Sequence, residues 1–349
     1  MHTFEATTAD ELWLRAVERL RSTSEGRVQE SRAGVTHELL HVGFTLRDPR
    51  QRWVISRDPS ISVAFAIAEV VGILNGRRDA GFLNYWNRDL PRFAGTGNTY
   101  HGAYGHRLRS NFGFDQLERG YLVFKHQPHT RQVVLQIWDP RIDFPAEDGR
   151  PVAEDIPCNI CSLLKVRDGR LEWLQVMRSN DLFKGLPYNF VQFTCLQEVL
   201  AGWLGLEVGE YTHISDSLHL YDYDFESAYN AQPSASVINR DSLLLPKNES
   251  DAVWAEMNRC AEELGQPDVT TERLVELSSS SDLPPAYNNL LVVLAAEAAR
   301  RRKDAETGLR IVEYCTNTLL KELWLRWTMR KRKEADKRGA ATPERSQTA

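Results

Sequence analysis

Cys158, preceded by Pro157 at the junction of a polar loop and a β-rich run, puts a thiol where the mouth of a pocket would form. A thiolate is nucleophilic near neutral pH and departs readily afterwards, which suits reversible covalent chemistry. The plain alternative is a structural cysteine. Arg178-Ser179-Asn180-Asp181 and Gly185-Leu186-Pro187-Tyr188-Asn189 gather a cation, a hydroxyl, a carboxylate and two amides into twelve residues. That is more polarity than a strand-to-helix joint requires. A guanidinium can hold a phosphate through two bonds and the hydroxyl can add a third, whereas an amide offers a donor and an acceptor together and can read the edge of a base. Further on, Ser217, His219 and Tyr221 alternate with Leu218 and Leu220, so a hydroxyl, an imidazole and a phenol would share one strand face. Glu69 is the one charge in a dense apolar run, residues 61–74, and an ionisable group there needs a reason. Taken alone, Glu69 could satisfy a backbone donor and His219 could be a packed core histidine.

Periodicity outlines the elements that must position these groups. Residues 11–21 carry Leu12, Leu14, Ala16, Val17 and Leu20 at helical spacing, and residues 61–74 predict a buried helix that stops near Gly76. Residues 95–105 are rich in glycine and read as a loop. Residues 132–138, 159–166, 170–177 and 212–223 read as strands, the second and third joined by an Asp168-Gly169 hairpin turn. Residues 189–206 return to helical spacing. The chain to about residue 228 is therefore expected to be an α+β domain. Beyond Tyr229 a polar stretch, 230–250, leads into helical patterns at 252–264, 271–277, 285–302 and 305–333, an all-α extension. The expected division is an N-terminal helix at 1–27, a main domain at 28–229, a helical extension at 245–333 and a disordered tail at 335–349.

Composition narrows the classes. At 349 residues, 42% apolar and 26% charged, the chain can bury a sizeable core. A net charge of -5 gives no whole-chain polyanion signature, so nucleic acid is not an expected partner. Apolar runs fall short of the roughly 20 residues of a membrane helix, and the amino terminus lacks a signal-peptide pattern. A cytoplasmic protein with no membrane partner is the expectation. Five cysteines, at 158, 161, 195, 260 and 315, are an odd, scattered set that predicts free thiols. Cys158 and Cys161 lack the second pair or two histidines that a zinc ion would want, so no metal is expected.

In order and spacing, Pro157-Cys158, Arg178-Ser179-Asn180-Asp181 with Gly185 to Asn189, and His219-Leu220-Tyr221 resemble the thymidylate synthase and pyrimidine-nucleotide hydroxymethylase superfamily. The resemblance extends through Tyr104-Gly105 and Glu69 to Arg32. It implies a thymidylate synthase-like fold, a mixed sheet with packed helices that dimerises through the sheet, followed here by the helical extension. It also implies that Cys158 adds to C6 of a pyrimidine nucleoside 5'-monophosphate, so that C5 attacks the methylene of 5,10-methylenetetrahydrofolate. Arg178, Ser179 and Arg32 match phosphate-binding positions, and Arg131 matches the phosphate arginine donated by the other subunit of a homodimer. Asn189 matches the amide on the 3-NH and 4-oxygen of uracil, and His219 and Tyr221 match contacts to the deoxyribose. Glu69 and Tyr104 match the proton-handling network, and Asp181, with Gly185 and Tyr188 beside it, matches the folate site.

Several positions depart from the family pattern. Asn159 stands where histidine usually follows the nucleophile, Gln132 where a second arginine follows Arg131, Lys184 at an apolar folate-facing position, and Ser217 for a common aspartate. The tryptophan expected before Tyr104 is absent, with Leu90 or Phe93 near its place, and a helical extension replaces the short closing terminus. A weaker folate wall would admit water to the C5 methylene, which leans the expectation towards hydroxymethylation of deoxyuridylate. Reductive methylation is the alternative if the extension restores the seal. A third reading is a non-catalytic nucleotide-binding homologue that uses the extension as an interaction module.

Overall fold

The computed structural model describes residues 1–22, 26–31, 33–234, 237–279 and 282–340, with side chains as far as residue 331. Eight strands form one mixed sheet: β1 (His2–Ala6), β2 (Arg27–Ser31), β3 (Gly34–Leu46), β4 (Val134–Gln136), β5 (Asn159–Arg167), β6 (Arg170–Met177), β7 (Asn180–Asp181) and β8 (Glu207–Tyr221). Their order is β1-β3-β8-β6-β5-β4, with β2 added to β3 and β7 to β8. The β1–β3, β6–β8 and β7–β8 pairs are parallel and the others antiparallel. Asp168 at φ 49° and Gly169 at φ 74° make the tight turn between β5 and β6, both in the left-handed region that matches strand twist.

In β3 the two-residue alternation breaks at His41, whose φ is 57°. The left-handed residue shifts the phase while the register with β8 stays unbroken on either side of it, so Leu39 and Val42 both face the core. His41 Nδ1 lies 2.9 Å from Asp216 Oδ1 on β8, and β8 changes parity there too: Tyr211, His213 and Ser215 are buried before it, Leu218 and Leu220 after it. Ser217, His219 and Tyr221 are thereby left together on the opposite face.

The helices are α1 (Ala9–Ser22), α2 (Val63–Leu74), α3 (Ala80–Trp86), α4 (Pro91–Ala94), α5 (Tyr104–Arg109), α6 (Gln116–His126), α7 (Pro140–Asp143), α8 (Leu186–Leu204) and α9 (Phe225–Tyr229), then α10 (Lys247–Gly265), α11 (Thr271–Ser279), α12 (Pro285–Arg301), α13 (Ala305–Val312) and α14 (Thr318–Ala340) in the extension. α2 starts at Ser62, whose Oγ accepts the Phe65 N–H at 3.3 Å, and α8 stops at Gly205 in the left-handed conformation, φ 67°. α2 is apolar on nearly every side because it is enclosed by α8 and by α10, α12 and α14 of the extension.

The polar stretch before the extension is pinned to the main domain. Gln51 Nε2 donates to Asn239 O at 3.1 Å while the Asn239 N–H donates to Gln51 Oε1 at 2.9 Å. Glu198, buried and paired with Arg52, accepts the Leu243 N–H at 2.9 Å. A Cβ on Gly202 would stand 2.6 Å from Leu245 N, so α8 needs glycine there for the linker to lie against it.

Several expectations are corrected. β1, β2 and β3 were not foreseen, and residues 1–27 hold strand as well as helix. β8 begins at Glu207 rather than Thr212, and α5 claims Tyr104 and Gly105 from the expected loop. Residues 305–333 form two helices, because Asn317 Oδ1 accepts the N–H groups of Leu319 and Leu320, each at 3.1 Å, and starts α14 afresh. Residues 335–340 continue α14 instead of belonging to a disordered tail; the rest of that tail, 341–349, lies outside the described residues. Among the described residues no helix is long and apolar enough to cross a membrane, and no three His, Cys, Asp or Glu side chains are grouped to hold a metal ion.

Candidate active site

The β5–β6 hairpin brings Cys158 and Arg178 side by side at its open end. The Arg178 N–H donates to Cys158 O at 2.9 Å, extending the ladder that pairs Asn159 with Met177. The Arg178 guanidinium folds back onto the same backbone: Nε donates to Pro157 O at 2.9 Å and Nη2 to Ile156 O at 3.1 Å, and the group lies 5.3 Å from the Trp138 ring centre. The cation is thus oriented by the segment that carries the thiol. Ser179 follows in the link to β7.

α2 and α5 bring the second pair. A Cβ on Gly105 would stand 2.6 Å from Gly72 O, so only glycine allows α5 to approach α2 this closely, and Tyr104 is carried in with it. Tyr104 lies within electrostatic reach of Cys158, Asp155, Glu69 and Arg178. From α8, Asn189 Nδ2 donates to Gln192 Oε1 at 3.1 Å, and Gln192 in turn hydrogen-bonds Glu69. Asn189, Gln192 and Glu69 therefore form one polar file from helix to helix.

The third group stands on β7 and β8. Their register sets Asp181 opposite His219, and His219 meets Tyr221 edge-on at 5.4 Å. Asp181 Oδ1 accepts the N–H groups of Phe183 (2.8 Å) and Lys184 (2.7 Å), fixing the turn into α8. Gly185 is packed there, since a Cβ would lie 3.2 Å from Asn180 Oδ1. Tyr188 accepts the Ser62 N–H at 2.9 Å and packs edge-on to Phe65. Lys184 Nζ pairs with Asp224 Oδ2 at 2.6 Å and lies 4.2 Å from the Tyr223 ring centre.

Burial dominates the electrostatics. It pushes the Glu69 carboxyl up to about 8, partly opposed by the Gln192 hydrogen bond. Its Oε2 is out of contact with solvent and has no partner among the described residues. Burial also raises the Cys158 thiol; Arg178 opposes the shift, while Asp155 and Asp181 add to it. Tyr104 is raised well above the usual phenol range by burial and by Cys158, Asp155 and Glu69. Burial raises Asp181 and lowers His219, and each partly offsets the other's shift. A protonated carboxyl at neutral pH can give and retake a proton near Tyr104, and the cation beside Cys158 favours its thiolate.

Two of the phosphate positions are not in this group. Arg32 lies outside the described residues. Arg131 is exposed ahead of β4 and near Lys165, six residues along β5 from Asn159, or about 20 Å at strand spacing. Asn159 faces into the sheet, where Gln175 Nε2 donates to its Oδ1 at 2.6 Å. Three groups escaped sequence reasoning. Gln192 stands three residues after Asn189, the helical spacing that shares a face, so it was findable. Asp155, three residues before Cys158, is bound through Oδ2 by the Gly102 N–H at 2.8 Å, a contact without a sequence signal. Arg57 is buried 4.0 Å from the Phe183 ring centre and donates to Phe183 O at 2.7 Å.

Comparison with known proteins places the chain among relatives of one family. The family profile described as thymidylate synthase matches residues 18–265. A deoxyuridylate hydroxymethyltransferase of Bacillus phage SP01 is 34% identical over 236 residues, 64% of this chain and 60% of the relative. One of Pseudomonas phage M6 is 32% identical over 176 residues, 50% of this chain and 49% of the relative. A protein of Methanothermobacter marburgensis, provisionally named thymidylate synthase, is 30% identical over 225 residues, 62% of this chain and 91% of its own length. The chain thus spans between about half and three fifths of the phage relatives it matches.

Proposed function

The chain belongs to the thymidylate synthase family, and from that premise we propose that it transfers a one-carbon unit to C5 of a pyrimidine nucleoside 5'-monophosphate, deoxyuridylate first, giving a hydroxymethyl product. The observation that carries this reading is the convergence of Cys158, Arg178, Tyr104, Glu69 and Asn189 on one site from five separate segments. In it, the Cys158 thiolate adds to C6 while Arg178 and Ser179 hold the phosphate. Asn189 meets the 3-NH and 4-oxygen of uracil, and Glu69 with Tyr104 moves protons at the O4 and C5 positions. His219 and Tyr221 take the deoxyribose. Arg131, remote from Cys158 within one chain, fits donation to the phosphate of a partner in a homodimer.

The family's cosubstrate, 5,10-methylenetetrahydrofolate, supplies the carbon at the methylene oxidation level. The donor set at its position fits: Asp181 uses Oδ1 on backbone N–H groups, leaving Oδ2 for the amino donors of a pterin, with Gly185 and the Tyr188 ring beside it. Lys184, ion-paired to Asp224 there, makes the wall polar. Such a wall favours water over a dry hydride transfer, and the names of the two phage relatives support the same product.

One observation favours the methylating alternative. α14 reaches the site: Arg326 Nη1 donates to Ile55 O at 3.1 Å, and Arg330 acts electrostatically on Arg57 and Tyr188. A helix there could seal the cleft. Incubation with deoxyuridylate and methylenetetrahydrofolate distinguishes the cases by product mass and by the folate released. A hydroxymethyl product with tetrahydrofolate supports the proposal, and a methyl product with dihydrofolate replaces it with the synthase reading. Binding without turnover would leave the non-catalytic homologue.

A further inference from the structure

Asp155 ties together the two segments that deliver the thiol and the phenol. It stands three residues before Cys158, and its Oδ2 accepts the N–H of Gly102, two residues before Tyr104, at 2.8 Å. The two backbones touch there, since a Cβ on Gly102 would stand 2.9 Å from Asp155 O. Arg178 holds the other end of the same loop through Pro157 O and Ile156 O. Asp155 is half-buried, and its Oδ1 has no hydrogen-bond partner among the described residues. A carboxylate so near the nucleophile opposes the thiolate, so activation of Cys158 is not its part.

The proposed reaction needs a base at C5. Once C5 has bonded to the one-carbon unit, it must lose its hydrogen as a proton before the folate can leave. The charges that act most strongly on Tyr104 are those of Cys158, Asp155, Glu69 and Arg178. By this stage the Cys158 sulfur is bonded to C6, Glu69 carries its proton and Arg178 is a cation, while burial holds Tyr104 itself as the neutral phenol. None of these four can keep a proton taken from carbon. Asp181, the other carboxylate that acts on Cys158, stands on β7 opposite His219, with Oδ1 on backbone N–H groups. We propose that Asp155 is the base that takes the C5 proton, with the Tyr104 hydroxyl as the bridge between them. The proposal rests on the function proposed above. The C5–H bond breaks and its electron pair forms the C4–C5 double bond of an enol, whose oxygen takes the proton of Glu69. The Tyr104 oxygen receives the C5 proton as its own proton passes to Asp155 Oδ1, so the phenol never carries charge and Asp155 ends as the neutral acid. Nothing is oxidised or reduced, and the half-buried carboxyl can return the proton to solvent.

The test uses the full chain, wild type and Asp155→Asn, with two nucleotides. Asparagine keeps the size and an oxygen for the Gly102 N–H but cannot keep a proton. Incubation with 5-fluorodeoxyuridylate and methylenetetrahydrofolate measures every step up to the new bond at C5: fluorine cannot leave as a cation, so the covalent adduct accumulates and is read by intact mass. Tritium at C5 of deoxyuridylate measures the next step, through the label released to water. Asp155→Asn should form the fluorinated adduct as wild type does, while tritium release falls by about 10²- to 10⁴-fold. Tritium release at the wild-type rate overturns the proposal. So does a loss of adduct and release in the same proportion, which is the mark of a structural tie alone. If Asp155→Asn does not fold, judged by its thermal transition, Asp155→Ser is read by the same two measurements and the same criteria. A wild-type protein that forms no adduct removes the proposed function instead, and the proposal with it.

Discussion

Glu69 concentrates the chemistry of the site in one titration. With its carboxyl pushed up to about 8 by burial, it carries its proton in the neutral range, and in the proposed reaction it is the acid at the 4-oxygen. Glu69→Gln should lower turnover by roughly 10²- to 10⁴-fold with nucleotide binding retained, measured by product formation and by titration calorimetry. The same shift couples to stability. The folded-state value lies above the unfolded one, so its contribution is complete below the ordinary carboxyl range and is lost as pH rises through about 8. Thermal melts should therefore show wild type losing ground to Glu69→Gln as the pH is raised from 5 to 9. Cys158→Ser should abolish turnover and the covalent nucleotide adduct seen by intact mass, leaving the melting temperature nearly unchanged, because the two side chains are close in size. The residue types of this site were legible in the sequence, since a thiol, a guanidinium and amides at fixed spacing each have restricted chemistry. The environment of Glu69 was legible only as a charge in an apolar run; the size of its shift depends on what α8 and α5 set around it.

At the scale of elements, Gly105 determines how near Tyr104 comes to Glu69. Gly105→Ala would press a methyl group to 2.6 Å from Gly72 O and force α5 off α2. We expect a loss of about 1–3 kcal/mol in urea unfolding, with turnover falling further than that loss explains because Tyr104 moves with its helix. The hairpin between β5 and β6 was readable, because Asp168-Gly169 is a turn whose backbone demands are local. β3 was not, although it is the longest strand but one. Its alternation is interrupted at His41, and a period of two that changes phase midway gives no continuous signal. The split between α13 and α14 was hidden for a similar reason: Asn317 is one polar residue in a helical pattern, and it acts as a cap only because its side chain turns back on Leu319 and Leu320.

For the molecule as a whole, the extension is part of the core. Trp254, Tyr287 and Trp324 from the extension share a single apolar cluster with Trp13, Trp86 and Phe190. The Arg52–Glu198 pair, both buried, holds the linker that leads into it through the Leu243 N–H. Arg52→Met would leave Glu198 buried without its cation and should cost about 3–5 kcal/mol, read as a lower urea midpoint seen equally by tryptophan fluorescence and by circular dichroism. Two separated transitions would instead mean that the extension unfolds on its own. The sequence by itself determined the kinds of groups available, the α+β character of the first two thirds, the helical character of the last, and the family to which the motifs belong. Such features follow from side-chain chemistry and from periods of two and 3.6 residues, which are properties of short stretches. Only the tertiary structure decided that α10, α12 and α14 cover α2, that the polar stretch around Asn239 is pinned, and that Glu69, Gln192 and Asn189 form one file. Apart from the local Asn189–Gln192 bond, these depend on contacts between residues more than a hundred positions apart, whose strength is set by burial and approach distance, and neither quantity is a property of any local stretch of sequence.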